Sequence, residues 1–531
     1  MLNPHTYSCK NPYSMALKKT KSQPVSSNFL KKNIVAHLTG NIWQAIMGLA
    51  FTPLYIKFMG IESYGLIGIF ATLLVIFGLL DVGLGSTLTR EMARLSVLPC
   101  KEQKMHNTVR TFETLYWTIA VFVGITVSLL SPLIAHHWIK AEQLSPKTIE
   151  QALITMGFIM VFQMPAGFYS GGLIGLQKHI LLNAINICMS TLRGAGAVLT
   201  LWLVSPTIQA FLLWQIMISI LNVFLLALFL WRSLPQSEKK AVFQKQLFKD
   251  NWRFAAGMSG ISILAIILTQ LDKIILSKFL PLEFFGYYML ACMVATSLGR
   301  LYNPVFLSIY PRFTQLVSNN DQEGLIRLYH TSCQFLAVLI LPVAIVIALF
   351  SYELILLWTQ NPATAEKTHL ILTIMICGTA LNGLMHPPYA LQLAFGWTKL
   401  SVVKNIIAVI IMTPLLIYMA NRYGASGAAS AWLFLNICYF IFEVPIMHGY
   451  LLRKEKWQWY LKDVFMPLIP CLSLATLGRL MYSGSTSQFI ILFYLIIISG
   501  LTLFVTLISV PIMRSLLYSQ ILKINLIFHT K

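Results

Sequence analysis

The sequence predicts an all-α polytopic membrane protein of about 14 transmembrane helices, arranged as two parallel six-helix lobes with two extra helices at the C-terminal end. Three observations predict it. Of 531 residues, 57% are hydrophobic and 11% charged, and a mean hydropathy of +0.71 is that of a chain whose solvent is largely the bilayer. Apolar runs of the roughly 20 residues needed to cross a hydrocarbon core of about 30 Å recur along the whole chain, with no long polar stretch between them. Nine residues are also written nearly twice, KFMGIESYG from Lys57 to Gly65 and KFLPLEFFG from Lys278 to Gly286.

Taken in order, the spans are expected to begin near Ile34, Gly65, Thr111, Ala152, Ile180, Ile208, Phe254, Tyr287, Thr331, Leu370, Ser401, Ala425, Val464 and Gln488. The chain then divides into a basic cytoplasmic tail (1–32), an N-lobe (33–232), a cytoplasmic linker (233–253), a C-lobe (254–450), the last two spans (463–517) and a second cytoplasmic tail (518–531). The first 30 residues lack the apolar core and cleavage site of a signal peptide. Lysine and arginine alternate between loops: Arg90, Arg94, Lys101, Lys104 and Arg110 crowd one, Lys239, Lys240, Lys245 and Lys249 another, while the intervening loops carry few. By the positive-inside rule both termini are cytoplasmic. The formal net charge of +21 lies in these short loops, so it reads as topology and anionic headgroups, and no nucleic-acid partner is expected.

The two nonapeptides are 221 residues apart, and the same shift carries Gly175 to Gly396 and Lys178 to Lys399. Six spans separate equivalent points. An even number preserves orientation, so the repeats are parallel and related by a pseudo-twofold axis along the membrane normal, the plan of transporters that open a central cavity to either side by turns. The nonapeptide itself reads as an outward turn between helices, an architectural role preferred to direct substrate contact.

Chemistry should come from charges that are costly where they sit. Arg193 and Arg300 each lie about 13 residues into a span, roughly 20 Å deep at about 1.5 Å per residue. Lys273 follows Asp272 in the seventh span, and Asp81 lies in the second. Side chains of adjacent helical residues diverge by about 100°, so Asp272 and Lys273 are not expected simply to neutralise one another. Two readings stand side by side. One is a cationic cavity in which Arg193, Arg300 and Lys273 receive an anionic group, arginine's fork suiting phosphate oxygens; the other is a set of interhelical ion pairs, Arg300 with Asp272 or Arg193 with Asp81. Pro387 and Pro388, after His386, are hinge candidates, because proline frees backbone carbonyls within a helix. Gly167, Gly171 and Gly175 form a GxxxG stripe that reads as helix packing.

The eight cysteines show no CxxC spacing and lie in spans or on the reducing side, so neither a disulfide nor a metal site is expected. There is no Walker A lysine, HExxH or G-x-S-x-G, and no cofactor is expected. The short outward loops leave little room for an extramembrane catalytic domain, so a transporter is favoured over an enzyme.

At these residues a resemblance appears. FMGIESYGLIGIFATLLVIFGLLDVGLGSTLTREMARL, from Phe58 to Leu95, and QLDKIILSKFLPLEFFGYYMLA, from Gln270 to Ala291, resemble the second-span and seventh-to-eighth-span signatures of bacterial polysaccharide flippases of the multidrug/oligosaccharidyl-lipid/polysaccharide exporter superfamily. The similarity extends over about residues 30 to 450. It implies a two-lobed transporter of the bacterial inner membrane that moves an oligosaccharide on undecaprenyl pyrophosphate, with cavity arginines and lysines receiving the anionic part. It also implies, as partners, that lipid-linked oligosaccharide, membrane lipids and other polysaccharide-assembly membrane proteins. By that resemblance Asp81 matches the acid before the second-span Gly-x-Gly, and Asp272 with Lys273 the acidic-basic pair of the seventh span. A cation-coupled multidrug exporter of the same superfamily should offer acids to cationic drugs, yet Ile34–Ile56 contains no Asp or Glu. A membrane-embedded glycan polymerase or glycosyltransferase is the alternative from another class.

Overall fold

The computed structural model describes residues 27–79, 84–96, 98–237, 239–482, 484, 487–511 and 513–514. The predicted tails at 1–26 and 518–531, and Asp81, lie outside the described residues. The described residues are almost entirely helical: α1 (Ser27–Gly78), α2 (Leu84–Leu95), α3 (Glu102–Leu133), α4 (Pro146–Gly175), α5 (His179–Leu203), α6 (Ile208–Ser233), α7 (Lys245–Phe279), α8 (Leu282–Ser297) and α9 (Gly299–Ser318). There follow α10 (Gln322–Leu349), α11 (Ser351–Thr359), α12 (Pro362–Leu384), α13 (His386–Ala394), α14 (Thr398–Cys438), α15 (Val444–Leu451), α16 (Lys456–Gln458), α17 (Met466–Met481) and α18 (Gln488–Ser509). The first helix starts at Ser27, inside the segment expected to be tail.

Eleven helices among the described residues are long and apolar enough to cross a membrane, against the fourteen spans expected. Two of the eleven, Ile42–Gly78 and Thr398–Leu451, would measure about 55 and 80 Å if straight, well beyond one bilayer. Each contains a glycine in the left-handed region, Gly60 at φ 80° and Gly424 at φ 60°, where the sequence places a span boundary. Most helices begin several residues before the expected span, as α3 does at Glu102, because helical hydrogen bonding continues past the hydrocarbon edge, where apolarity stops.

The chain forms two compact units. The first holds the described residues of 1–52 with Ile76–Pro132 and Glu150–Ser262. Within it, α4 meets α2 through glycine: a Cβ on Gly171 would stand 2.7 Å from the Gly85 carbonyl and one on Gly175 2.5 Å from the Thr89 carbonyl, while Gly167 faces open space. Thr89 Oγ1 donates across the same contact to the Gly171 carbonyl at 2.9 Å. The stripe read from the sequence is a packing surface at two of its three positions.

The chain leaving α6 lies along the first turns of α3 in the same unit. Gln103 Nε2 donates to the Lys240 carbonyl (3.2 Å), and the Val242 and Gln244 amides donate to Asn107 Oδ1 (3.0 Å) and Thr111 Oγ1 (2.9 Å). One helical turn of four residues rises about 6 Å, close to two residues of extended chain, so side chains four apart on α3 reach every second residue of the strap.

The second unit comprises Pro53–Val75, Leu133–Ile149 and the described residues from Ile263 onward. Both nonapeptides belong to it, and they pack on one another. A Cβ on Gly65 would lie 2.5 Å from the Leu282 carbonyl, and one on Gly286 2.4 Å from the Ile61 carbonyl, so each copy supplies the glycine that lets the other's backbone approach. Gly60 makes the turn in one copy; in the other, the equivalent Pro281 stands immediately before α8 with φ −54°. Residues 138–144 lie against both copies. The buried Glu62 accepts from the amides of Glu142, Gln143 and Leu144 at 2.6, 2.9 and 3.1 Å, and the Leu282 amide donates to the Lys140 carbonyl at 2.7 Å. The repeated residues are architectural, as their sequence suggests.

Candidate functional site

Within the second unit a cavity of about 200 Å³ is lined by α7, α8, α9, α12 and α14. Its apolar wall comes from Leu268, Met375, Met412, Leu416 and Leu435, and its polar wall from Thr269, Asp272, Lys273, Thr296, Thr379 and Asn382, with Tyr302 and Trp432 as aromatic members. A predominantly apolar space with a few convergent polar groups is the usual form of a binding site.

Asp272 and Lys273 are in contact, and each also has a further partner, in keeping with the expectation that they do not simply neutralise one another. The lysine's four-carbon stem folds back along its own helix, so Nζ donates to the Thr269 carbonyl at 2.8 Å and stands 3.2 and 3.4 Å from the two Asp272 oxygens. The Tyr288 hydroxyl, from buried α8, donates to the second oxygen. The contacts of Asp272 are thus with Lys273 and Tyr288, and the expected alternative pairing with Arg300 is not the one found. The pair makes the cavity electrically neutral as it stands.

Two helix junctions lie near this space. α8 gives way to α9 at Leu298, and α12 to α13 at Met385. Pro387 and Pro388 occupy the first turn of α13, where a missing N–H costs nothing. Their neighbour His386 donates through Nδ1 to the Asn382 carbonyl at 3.1 Å and packs against Tyr302 with ring centroids 4.2 Å apart and planes tilted by 45°. Asn382 and Tyr302 both line the cavity, so the two junctions are joined at its wall. Asn382 is held by Asn436, Nδ2 to Oδ1 2.9 Å, and the Trp432 indole donates to Thr379 at 3.3 Å.

Arg300 is exposed in the first turn of α9, outside the cavity lining. Leu298, between α8 and α9, keeps right-handed helical dihedrals (φ −57°, ψ −28°), and Leu282–Ser318 forms one stretch long and apolar enough to cross a membrane. Arg193 belongs to the first unit. Its guanidinium lies 3.5 Å from the buried Ser219 hydroxyl, on a stretch of α5 brought close to α1 and α6 by Gly194 beneath Phe51 and Gly196 beneath Trp214. The three cationic candidates therefore occupy three distinct settings. The sequence gives no signal for Tyr288, Trp432 and Thr379, which carry no charge and have no acid at helical spacing.

The fold and the site define a polytopic helical membrane protein with the architecture of a transporter. Over 92% of this chain and 100% of the other, it superposes on a structure described as lipid II flippase MurJ, inward closed conformation, with a TM-score of 0.68 and 17% identity. It also superposes on an inward-facing multidrug resistance MATE family transporter of the MOP superfamily, with a TM-score of 0.61 and 14% identity over 79% of this chain and 96% of the other. In sequence it is 21% identical over 402 residues, 76% of this chain and 93% of the relative, to a Shigella flexneri protein described as "Putative O-antigen transporter". The family described as Polysaccharide biosynthesis protein matches residues 30–317, and the chain belongs to that family.

Proposed function

We propose that this protein moves an undecaprenyl-pyrophosphate-linked oligosaccharide from the cytoplasmic to the outer leaflet of the bacterial inner membrane, by alternating access of its two repeats, during assembly of O-antigen, capsule or exopolysaccharide. The observation that carries the reading is membership of a polysaccharide biosynthesis family in a chain with a transporter's fold. The O-antigen transport named for the Shigella relative points the same way, and both favour a transporter over a glycan-joining enzyme. In this reading Arg193, Arg300 and Lys273 receive the anionic linkage, Asp81 and Asp272 are their counter-ions or coupling groups, and the Pro387–Pro388 turn flexes as the cavity changes its access. Both termini remain in the cytoplasm.

The test is the leaflet distribution of carrier in cells lacking the gene, read with a membrane-impermeant glycan-modifying enzyme on oriented vesicles. Carrier trapped intact on the cytoplasmic side is the expected result. A normal distribution with outward-facing units left unpolymerised would replace the flippase with an enzyme. Arg193→Ala and Arg300→Ala are each expected to slow translocation roughly 10- to 100-fold, the scale of losing a charged hydrogen bond of about 1.5–3 kcal/mol, with protein abundance unchanged. Lysine at either position should restore part of the rate, because it returns charge without the fork. Loss of the protein from the membrane would instead identify the arginines as structural.

The fold similarity to MATE transporters supports a second reading, export of cationic drugs. It predicts drug resistance on overexpression, whereas the flippase reading predicts none.

A further inference from the structure

Beside the cavity, the second unit carries a larger apolar groove. α14 turns back on itself at Gly424, and its two legs enclose about 410 Å³ between Leu400–Met412 on one and Phe434–Ile446 on the other. Each leg runs about 18 Å along the groove at about 1.5 Å per residue. Val403, Ile407, Ile411, Phe434 and Phe442 form an exposed rim, while Ala408, Met412 and Leu435 form a buried floor. Both legs belong to a stretch apolar enough to cross a membrane. An exposed apolar rim there meets hydrocarbon, so the groove opens to lipid chains.

Two observations say what fits it. The charged members of the lining, Lys404 and Glu443, are spent on each other at 2.6 Å. Gln392 also donates to Glu443 at 3.0 Å, and the ammonium lies over the Tyr439 ring, 4.6 Å from its centroid. The pair is neutral and satisfied, so the groove suits an uncharged occupant. Second, Met412 and Leu435 line both this groove and the cavity that holds Asp272 and Lys273. The two spaces share a wall, and the unbranched side chain of Met412 can swing aside from it.

We propose that the groove between the legs of α14 holds the hydrocarbon chain of the lipid-linked cargo, with the anionic head in the adjoining cavity and the chain crossing between them over Met412. The inference rests on the flippase reading above and goes beyond it by giving the lipid half of the cargo a site of its own. A hydrocarbon chain gains no hydrophobic energy on leaving other chains, so shape and tethering must select it. The head, once held, keeps its own chain at a high effective concentration beside the groove. A polyprenyl chain carries a double bond in every unit and has fewer free torsions than a saturated acyl chain of equal length, so fixing it costs less entropy. The last two spans lie against α10, with Ile498 packed on Val346 and Phe350, and leave the rim exposed.

The test uses the full-length protein in phosphatidylcholine nanodiscs with two photoreactive probes, glycan-free polyprenyl pyrophosphate bearing a diazirine on its chain and phosphatidylcholine bearing one on an acyl chain. The polyprenyl probe is expected to label Leu400–Met412 and Phe434–Ile446, and unlabelled polyprenyl pyrophosphate should displace it. Ile407→Trp, which fills the groove from its rim, should abolish that labelling and weaken polyprenyl pyrophosphate binding about tenfold, within what a tethered second contact adds. Inorganic pyrophosphate, which has no chain, should bind both proteins alike. Ile410→Trp, exposed on the same leg but outside the groove, should change neither readout. Labelling of the groove by the acyl probe that polyprenyl pyrophosphate fails to displace would make it a site for bulk phospholipid. Labelling confined to other helices would move the chain elsewhere, and a rim protected from both probes in a protein that runs as a dimer would give the groove to a second copy. Each of these three outcomes overturns the inference and leaves the flippase reading intact, because that reading stands on carrier trapped in cells lacking the gene. Normal leaflet distribution in those cells, beside displaceable labelling of the groove, would sink the flippase reading and keep the chain site. Should Ile407→Trp not accumulate, the positions labelled in the parent protein and their displacement decide the matter.

Discussion

Gly286→Ala and Gly65→Ala are each expected to lower the stability of the purified protein by about 1–3 kcal/mol, the usual cost of forcing atoms into a filled interface, and valine at either site should prevent accumulation in the membrane. The reason is geometric. A Cβ on Gly286 would stand 2.4 Å from the Ile61 carbonyl oxygen and one on Gly65 2.5 Å from that of Leu282. Both obstacles are backbone, so no side chain can rotate aside and the two helices must separate. The carboxylate of Glu62 holds the amides of residues 142–144 one turn away, so separation at the glycines also strains that cluster. The measurement is thermal unfolding in detergent beside Gly167→Ala, where a methyl group meets nothing within 4 Å and no change is expected. Because the two glycines share one contact, the double substitution should cost less than the sum of the singles. Equal melting of all three single variants would mean that the repeated residues do not close this contact.

Much of this contact was legible in the sequence. The nonapeptides announced themselves by four shared residues in nine, and glycine at the end of each copy implied close approach; what could not be read was that the two approaches are the same one. Span positions were legible because hydrocarbon selects for apolarity, while helix ends were not, since hydrogen bonding is indifferent to where the hydrocarbon stops. Charge was the least legible property. Direction along a helix implied that Asp272 and Lys273 do not simply neutralise one another, and each does hold a further partner, yet a flexible stem also lets the two meet across a divergence of about 100°.

The membrane-embedded acids of the described residues come with partners, and the pattern explains why the cationic excess is not in the hydrocarbon. Glu443 takes Lys404 at 2.6 Å with Gln392 at 3.0 Å, Glu353 takes Arg479 at 2.5 Å, and Glu113 takes Arg110 at 2.9 Å with the Tyr169 hydroxyl at 2.7 Å. Burying a lone charge costs several kcal/mol, and pairing recovers most of it. Glu443 and Glu113, near helix ends in the sequence, are buried and paired as structural groups. Against this background the Asp272–Lys273 pair differs by location, since it borders a cavity where a ligand can intervene.

A further cluster of this kind joins α10 to the segment that leads into the last two spans. His330 on α10 faces Asp463 through Nδ1 at 2.5 Å and Glu455 through Nε2 at 3.1 Å. Asp463 is fully buried and also accepts from Gln334 Nε2 at 2.8 Å. With a carboxylate at each nitrogen the ring is set to donate twice, as the imidazolium. The sequence gives little hint of this, because Asp463 sits where Val464 opens the expected thirteenth span and reads as an ordinary headgroup charge. His330→Ala strands the Asp463 carboxylate and is expected to destabilise the protein by about 3–5 kcal/mol, the cost of breaking one side of a buried pair. His330→Ala combined with Asp463→Leu should recover most of that loss, since it removes the fully buried carboxylate and leaves only Glu455, whose side chain keeps 19% of its surface exposed. The readouts are a double-mutant cycle from unfolding in detergent and maleimide labelling of Cys471, which is buried on α17, in a background that retains only that cysteine. Faster labelling in His330→Ala, reversed in the double variant, would show that this cluster fastens the C-terminal helices to α10. Additive losses with unchanged labelling would mean that apolar packing between α10 and α17 suffices without it.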